Sequence, residues 1–237
     1  MFGESGRIGV VVPANNAVLE PELWSRLPAG VALYATRVMA KGELTPAAVR
    51  AMEKEVARAV AELAATGVDV ILYADMVTTF IMERGWNEAA TAAIAERCGI
   101  AYVSAWTALR DALAKLGVAR IALGTPYPAA IHALAPPFFE GQGLGITGHA
   151  TLDIRAMAEV PRVPPERLRA LVEGLDREGA DAVVLLATDL PTFASLEALE
   201  ALTGLPVLTS NQTLLWAALR AVGADARIAG LGRLFAP

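Results

Sequence analysis

Gly67-Val-Asp-Val-Ile-Leu-Tyr-Ala-Asp75 and Gly179-Ala-Asp-Ala-Val-Val-Leu-Leu-Ala187 are two copies of one pattern, a glycine followed by a short apolar run that ends in a polar loop. The two copies lie 112 residues apart. Other segments match in the same order: Arg7–Pro13 with Arg120–Pro126, and Gly99–Ser104 with Gly204–Thr209. Matched pairs in one order predict a duplicated unit of roughly 110 residues.

Short apolar runs bounded by glycine and proline predict strands, and stretches with helical spacing separate them. The predicted strands are Ile8–Val12, Val31–Val38, Val68–Tyr73, Ala101–Val103, Ile121–Leu123, Ala182–Leu186 and Val207–Leu208. Continuous apolar strands that alternate with helices are typical of parallel sheets covered on both faces. The longest predicted helix covers Ala47–Ala65 and ends at Gly67.

The fold class expected from this pattern is α/β, with two pseudo-symmetric Rossmann-like units, parallel sheets and a cleft between the units. We expect residues 1–111 plus 212–237 to form one unit and residues 112–211 to form the other. The chain segment after Gly223 is expected to pack on the first unit.

The composition of the chain disfavours membranes and nucleic acid as partners. Hydrophobic residues make up 55% of the 237 residues and the mean hydropathy is +0.45, yet no apolar run approaches the ~20 residues of a membrane span. The N-terminal residues show no leader pattern, so we expect a cytoplasmic protein that binds no membrane. The net charge of −5 comes from mixed charges and disfavours nucleic acid as a partner. The apolar, alanine-rich helices favour a homo-oligomer.

Metal and nucleotide chemistry are poorly supported. The single cysteine, Cys98, precludes a cysteine-cluster metal site and reads as a structural thiol, although a free thiol can react. The only histidines, His132 and His149, have neither metal-ligand nor triad spacing. No GxGxxG, Walker or zinc pattern appears, so we expect neither a cofactor nor a metal.

Parallel sheets bind ligands at the carboxyl ends of their strands, and here those ends are polar. Loops from both units are expected to meet at one central cleft. These loops are Pro13-Ala-Asn15-Asn16, Ala74-Asp75-Met-Val-Thr78-Thr79, Gly124-Thr-Pro-Tyr127, Ala187-Thr188-Asp189 and Thr209-Ser210-Asn211-Gln212.

Three stretches carry a resemblance to a known family. They are Pro13-Ala-Asn-Asn16-Ala-Val-Leu-Glu20-Pro21-Glu22, Gly124-Thr-Pro-Tyr127 and Ser210-Asn-Gln-Thr-Leu-Leu-Trp216-Ala-Ala-Leu-Arg220. Over nearly its whole length the chain resembles the maleate isomerase and arylmalonate decarboxylase branch of the aspartate/glutamate racemase superfamily, which also contains an ectoine-utilisation protein. The resemblance implies catalysis without a cofactor. It also implies that Asn16 contacts the substrate and that Tyr127 binds a carboxylate.

The resemblance also exposes a departure. Enzymes of this superfamily use one cysteine at the end of each equivalent strand, whereas this chain has Asp75 at the first position and Ala187 at the second. The second catalytic position is therefore vacant. The decarboxylases manage with the second cysteine alone, but loss of both goes beyond that precedent. The remaining donors expected to bind substrate are Asn16, Thr78, Thr79, Tyr127, Thr188 and Asn211.

These substitutions narrow the chemistry. A carboxylate is a poor nucleophile toward a carbon–carbon double bond, which disfavours thiolate-type maleate isomerisation. Two-base racemisation is disfavoured because Ala187 has no proton to give. Asp75 can still serve as the single acid–base group, so decarboxylation, tautomerisation and one-base isomerisation all fit.

Two other readings stay open: a catalytically degenerate protein that binds a small acid or amino-acid derivative, and a hydrolase or hydratase in which Asp75 activates water. The structural alternative for Asp75 is a cap on the next helix, a common role of aspartate after a buried strand.

The negative charge bears on the ligand. Like charges at ~4 Å cost about 4 kcal/mol at an effective dielectric near 20, so Asp75 and Asp189 disfavour a fully anionic ligand. Either Asp75 is protonated, or the substrate is less anionic or bears an amine. We expect a small carboxylate or amino-acid-derived ligand. Arg37, near the end of a predicted strand, is the one arginine expected to come near the cleft.

Overall fold

The structure, a computed structural model, describes residues 2–40, 42–224 and 227–236. The described strands form two four-stranded sheets in which every pairing is parallel. The first sheet has the order β2-β1-β3-β4 and the second the order β6-β5-β7-β8. The two sheets have the same strand order, with each strand number of the second sheet higher by four. The predicted α/β fold of two pseudo-symmetric units is therefore confirmed.

The first sheet contains β1 (Gly6–Pro13), β2 (Val31–Val38), β3 (Val70–Tyr73) and β4 (Ala101–Ser104). Six helices lie between and after these strands. They are α1 (Leu19–Trp24), α2 (Pro46–Glu53), α3 (Val56–Ala65), α4 (Thr78–Ile81), α5 (Trp86–Cys98) and α6 (Ala105–Lys115).

The second sheet contains β5 (Arg120–Thr125), β6 (Gly145–Thr151), β7 (Ala182–Leu185) and β8 (Val207–Thr209). Its helices are α7 (Ala129–His132), α8 (Ala135–Gly141), α9 (Pro165–Glu173), α10 (Leu196–Thr203) and α11 (Ser210–Ala221). Short 3₁₀ turns occupy Met157–Arg162, Phe193–Ser195 and Arg233–Phe235.

The internal repeat holds at the level of hydrogen bonds. In the first unit the backbone amide of Ala74 donates to the carbonyl of Val11 (3.0 Å), and in the second unit Leu186 donates to Gly124 (3.0 Å). These bonds fix the residues that follow β3 and β7 in equivalent places. Asp75 and Ala187 are therefore structural counterparts, as the sequence repeat predicts.

Two local predictions differ from the structure. The single helix predicted over Ala47–Ala65 is two helices, α2 and α3, because a turn at Lys54 and Glu55 separates them. Strand β6 was not predicted from the sequence. It is an edge strand with two glycines and mixed burial, so it lacks the continuous apolar run that identifies the other strands.

The C-terminal part of the chain contacts both units. Helix α11 packs against α6, β3 and β4 of the first sheet, and its Gln212 donates to the carbonyl of Leu231 (2.7 Å). Beyond it, Arg233 donates to the Glu200 carboxylate through its backbone amide (3.0 Å) and to the Gly204 carbonyl through its guanidinium (2.8 Å). The boundary between units stays a prediction, and residues 225, 226 and 237 of this segment lie outside the described residues.

A half-buried carboxylate joins the two halves. Glu22 on α1 accepts hydrogen bonds from the backbone amides of Thr192 (2.6 Å) and Phe193 (2.8 Å) and from the Asn211 side chain (2.7 Å). Burial raises the pKa of Glu22, and these hydrogen bonds partly offset that effect. Two stretches that carry the family resemblance therefore meet here, where they connect the halves of the molecule.

The helices also bear on membrane association. Across the described ranges, no helix has both the length and the apolar character that crossing a membrane would require.

Candidate active site

A cavity lies where the carboxyl ends of the two sheets face each other. It encloses about 50 Å³, which is room for several non-hydrogen atoms, since a single water needs roughly 10–15 Å³. Loops after β1, β3, β5 and β7 line its polar side. The polar or vacant positions are Asn15, Asn16, Asp75, Tyr127, Ala187, Thr188 and Asp189.

Asp75 lines this cavity with only 8% of its surface exposed. Its Oδ1 accepts from the backbone amide of Thr78 (2.7 Å) and from the Thr78 hydroxyl (2.6 Å). Burial raises the pKa of Asp75, and the Thr78 hydrogen bonds oppose that rise without cancelling it. The side chain thus caps the start of α4, as its position after a strand suggested, and also presents a carboxyl group to the cavity.

Ala187 lines the same cavity at the equivalent position of the second unit. Its φ is 90°, a left-handed conformation that a residue with a Cβ adopts only at some cost. Strained backbone of this kind clusters at functional sites. The loop therefore keeps a demanding geometry although its side chain, a methyl group, has no chemistry to offer.

Asp189 adds a second carboxyl group to the cavity. Burial raises the pKa of Asp189 to about 7, its own backbone amide opposes that shift, and the neighbouring charge of Asp75 adds to it. Among the described residues that line the cavity, none carries a positive charge. Burial at the cavity thus shifts the pKa of both carboxyl groups upward, toward the protonated state.

Three further polar residues predicted from the sequence lie at the cavity. Asn16 is buried, its Oδ1 accepts from the backbone amides of Val18 (2.9 Å) and Leu19 (3.0 Å), and its Nδ2 donates to Thr188 (3.1 Å). Thr188 in turn donates to the Ala74 carbonyl (2.7 Å), so these two residues bind the loops of the two units to each other. Tyr127 is buried, and burial raises its pKa well above the usual range, which keeps its hydroxyl protonated.

Three predicted binding residues do not line the cavity. Thr78 is buried behind Asp75, Thr79 accepts from the Asn87 side chain (3.1 Å), and Asn211 is engaged by Glu22. Arg37 lies outside the lining as well. It forms an ion pair with Glu20 and donates to the Asn16 carbonyl (2.9 Å), so it supports the β1 loop from outside.

The apolar wall of the cavity was only partly foreseen from the sequence, in which the loop Val38–Leu44 is expected to set the size of the pocket. It comes from α2, from the loop before it and from the segment after β6, and the last of these follows a strand that was itself not predicted. The residues are Ala40, Leu44, Ala48, Val49, Met52, Ile154, Met157 and Val160. The helical spacing of Ala48, Val49 and Met52 is visible in the sequence. However, an apolar helix face that lines a cavity has the same spacing as one that packs in the core, so the sequence does not distinguish the two.

Asn15 also lines the cavity, and its Oδ1 is buried without a hydrogen-bond partner in the protein. A buried polar atom without a partner is costly, so this amide is suited to a polar group of a ligand.

A clasp closes the cavity between the units. We use this name for the segments Gly42–Leu44 and Arg155–Met157. The Leu44 amide donates to the Arg155 carbonyl (3.3 Å) and the Met157 amide to the Gly42 carbonyl (3.2 Å). Glu43 and Ala156 form an isolated antiparallel bridge between them.

The thiol and the histidines lie apart from the cavity lining. Cys98 is half-buried at the end of α5, where its thiol donates to the Ile100 carbonyl at 3.8 Å. His132 lies between Thr125 and the exposed His149, with 2.9 Å to each partner, and burial lowers its pKa. No cluster of three or more potential metal ligands occurs among the described His, Cys, Asp and Glu residues.

Known proteins are similar to this chain in sequence and in fold. The family model for arylmalonate decarboxylase matches residues 8–235. The chain belongs to the arylmalonate decarboxylase family. It is 29% identical to a maleate isomerase of Nocardia farcinica, over 96% of this chain and 94% of that protein. It is 29% identical to an arylmalonate decarboxylase of Bordetella bronchiseptica, over 95% of this chain and 91% of that protein.

A solved structure agrees over the whole fold. The Nocardia farcinica maleate cis-trans isomerase, a cysteine-to-serine variant with a covalently bound succinylcysteine intermediate, superimposes with a TM-score of 0.91 at 30% identity and covers 97% of this chain and 98% of that one. The resemblance predicted from the loop motifs is confirmed. As a member of the arylmalonate decarboxylase family with these relatives, the chain is an enzyme of the isomerase or lyase type.

Proposed function

We propose that this arylmalonate decarboxylase family member acts on a small carboxylic acid, without a cofactor, through an enediolate-like intermediate, and that Asp75 is its single acid–base group. Decarboxylation, tautomerisation and one-base isomerisation are the reactions that such a group can perform. One observation carries the proposal: a buried carboxyl group with a raised pKa lines the cavity where the equivalent position of the other unit has only a methyl group.

The raised pKa supports a role as acid. Burial keeps Asp75 protonated to a higher pH than an exposed aspartate, so it can hold a proton until a carbanion forms beside it. A hydrogen-bond donor lies at the same cavity, namely Tyr127, whose hydroxyl is protonated. Groups of this kind stabilise negative charge that develops on a substrate carboxylate.

The cysteine chemistry of the relatives does not transfer. The Nocardia farcinica isomerase variant holds a covalently bound succinylcysteine, which requires a thiol at the substrate. In this chain the sole thiol, Cys98, is absent from the cavity lining. We therefore favour proton transfer over covalent addition to a double bond.

The carboxyl groups that line the cavity affect which acids can bind there. Two carboxyl groups and no described cation line the cavity, so an acid enters most readily while Asp75 and Asp189 are protonated. The apolar wall from α2 and the segment after β6 favours an apolar substituent on that acid. The unpartnered Oδ1 of Asn15 is placed to accept from a hydroxyl, amine or protonated carboxyl group.

A second candidate is a protein that binds a small acid or amino-acid derivative without converting it. The observation in its favour is that Asp75 Oδ1 already accepts two hydrogen bonds from Thr78, which is the ordinary arrangement of a helix cap.

Replacement of Asp75 separates the two candidates. Asparagine preserves the cap, because its side-chain oxygen still accepts from Thr78, but it cannot deliver a proton. With phenylmalonate and maleate as probes, we expect Asp75→Asn to lower kcat by about 10²–10⁴-fold while ligand-induced thermal shifts persist. The formation of product would be followed by nuclear magnetic resonance.

The matched control is Asp111→Asn, the same change on an exposed aspartate paired with Arg110. This control should turn over like the wild type. A wild type that binds either acid without turnover would favour the binding protein, and an Asp75→Asn variant with full kcat would remove Asp75 from the mechanism.

A further inference from the structure

A continuous chain of side-chain hydrogen bonds leads away from Asp75. The Thr78 hydroxyl is 2.6 Å from Asp75 Oδ1, the Tyr73 hydroxyl is 3.2 Å from the Thr78 hydroxyl, and Glu53 Oε2 is 2.6 Å from the Tyr73 hydroxyl. Each of the two hydroxyl groups has a hydrogen-bond neighbour on either side. Thr78 donates to Asp75 and Tyr73 donates to Glu53, so a proton can pass from Glu53 to Asp75 once the Tyr73 hydroxyl turns to donate to Thr78.

The chain connects the cavity to a different environment. Asp75 lines the cavity, whereas Thr78, Tyr73 and Glu53 do not. Tyr73 and Thr78 are buried, and Glu53, the last residue of α2, is partly exposed. The route from Glu53 to Asp75 is thus separate from the space that a substrate would fill.

We propose that Glu53 supplies protons to Asp75 through Tyr73 and Thr78, so that the acid group is restored while the cavity is occupied. This inference rests on the proposed function, because it assigns Asp75 the role of proton donor. Glu53 is a proton-relay residue that does not touch the substrate.

The step balances without any further reagent. Asp75 first gives its proton to the carbanion carbon, which forms a C–H bond and leaves a carboxylate. The Thr78 hydroxyl proton then moves to Asp75 Oδ1, the Tyr73 phenolic proton moves to the Thr78 oxygen, and the Glu53 carboxyl proton moves to the Tyr73 oxygen. Glu53 takes up one proton from solvent, and rotation of the Asp75 carboxyl group and of the Thr78 and Tyr73 hydroxyls restores the starting arrangement.

The outer end of the chain can exchange protons near neutral pH. Burial raises the pKa of Glu53 to about 7, an effect that the Tyr73 hydrogen bond opposes and the Asp75 charge increases. Glu53 can therefore both take up and release a proton near neutral pH. The pKa of Tyr73 lies well above its usual range, chiefly through burial, so the protons shift together and no tyrosinate forms.

A lyase needs such a supply more than an isomerase does. Each decarboxylation consumes one proton when carbon dioxide leaves and the carbanion is quenched. An isomerisation returns to the substrate the proton that it removed. A dedicated route to Asp75 is thus the arrangement that repeated decarboxylation requires.

Hydrogen exchange at Asp75 tests the relay without any turnover. After rapid mixing of the protein with D₂O, infrared spectroscopy follows the carbonyl stretch of the protonated carboxyl group, which shifts on deuteration. The Asp75 band is assigned by its absence in Asp75→Asn. We expect Glu53→Gln and Tyr73→Phe each to slow this exchange by about 10²-fold.

The controls distinguish a relay from a structural effect. Glu55→Gln makes the same change two residues away, on an exposed side chain paired with Arg58, and should leave the exchange rate unaltered. Equal rates in all variants would overturn the relay, as would slowing by Tyr73→Phe but not by Glu53→Gln. Because the readout is exchange, failure of the relay stays distinct from failure of Asp75 as a catalytic group.

Discussion

At the scale of single residues, the site is defined by where carboxyl groups are buried. Asp75 was identified from the sequence because it breaks an internal repeat, and the structure places it at the cavity beside Asp189. Asp189 matters as much for charge, since burial raises its pKa to about 7. Both groups are costly to ionise where they lie, and this cost has consequences for stability and for activity.

The raised pKa of Asp189 makes the free energy of unfolding depend on pH. A carboxyl group whose pKa is higher in the folded state than in the unfolded state contributes stability at low pH, and that contribution is lost as the pH rises from about 4 to about 7. Asp189→Asn removes the group. It should therefore raise the free energy of unfolding at pH 8, by up to roughly 4 kcal/mol, and change it little at pH 4.

Urea unfolding at the two pH values measures this difference. The matched control is Asp153→Asn, an exposed aspartate that accepts from the Ala129 backbone amide (2.8 Å). If Asp189→Asn were equally stabilising at both pH values, ionisation of Asp189 would not be the cause.

The activity consequence concerns anionic substrates. As the pH rises through about 7, Asp189 ionises and repels a carboxylate in the same cavity. We expect kcat/KM for phenylmalonate to fall above that pH, and we expect Asp189→Asn to move the fall to higher pH. The pH profiles of both proteins would show this directly. A profile that Asp189→Asn leaves unshifted would contradict the assignment.

At the scale of elements, the sequence identified the strands that contain a run of apolar residues and missed β6, which has none. Strand β6 reads as a loop because of Gly145 and Gly148. Gly148 is required by close packing, since a Cβ there would lie 2.5 Å from the Asp176 carbonyl oxygen. Gly148 is needed because the Asp176 backbone lies close to it, and such a need adds nothing to the apolar pattern along the strand. The local sequence therefore could not reveal β6.

The same limit applies to the cavity wall. The polar loops were predictable because each follows an apolar strand at a known edge of the sheet. The clasp was not, because its hydrogen bonds join segments more than 100 residues apart that share no motif. Contacts of this kind depend on how the two units are oriented, which sequence periodicity does not encode.

The clasp itself can be tested with a proline. Met157→Pro removes the amide that donates to Gly42, while the preceding Ala156 already has the extended backbone that a following proline needs. Met157→Ala is the control, because it shortens the side chain and keeps the amide. We expect faster hydrogen exchange around residues 42–46 in the proline variant than in the alanine variant, measured by mass spectrometry. Identical exchange would mean that this bond does not hold the clasp closed.

At the scale of the whole molecule, Glu22 is one of the contacts that join the halves. Removal of its carboxylate by Glu22→Ala leaves the buried donors of Thr192, Phe193 and Asn211 without their acceptor. Since each such donor costs about 1–3 kcal/mol, the free energy of unfolding should fall by about 3 kcal/mol or more.

Glu22→Gln is the informative control. Both backbone donors use the same oxygen, Oε1, which glutamine retains. Asn211 has an unpartnered Oδ1, so its amide can turn and accept from the new amide group. We expect this variant to unfold near the wild-type urea midpoint. A loss equal to that of Glu22→Ala would show that the negative charge, not the hydrogen-bond geometry, joins the halves.

The left-handed backbone at Ala187 has a consequence for how readily this site could change. The steric cost of φ 90° comes from the Cβ atom, and alanine already bears it. A longer unbranched side chain there inherits the conformation without a further backbone penalty, so Ala187→Cys would require the addition of one sulfur atom and no rearrangement of the loop. On the proposed function, in which Asp75 is the single proton-transfer group, this one substitution would give the site a second such group on the same scaffold.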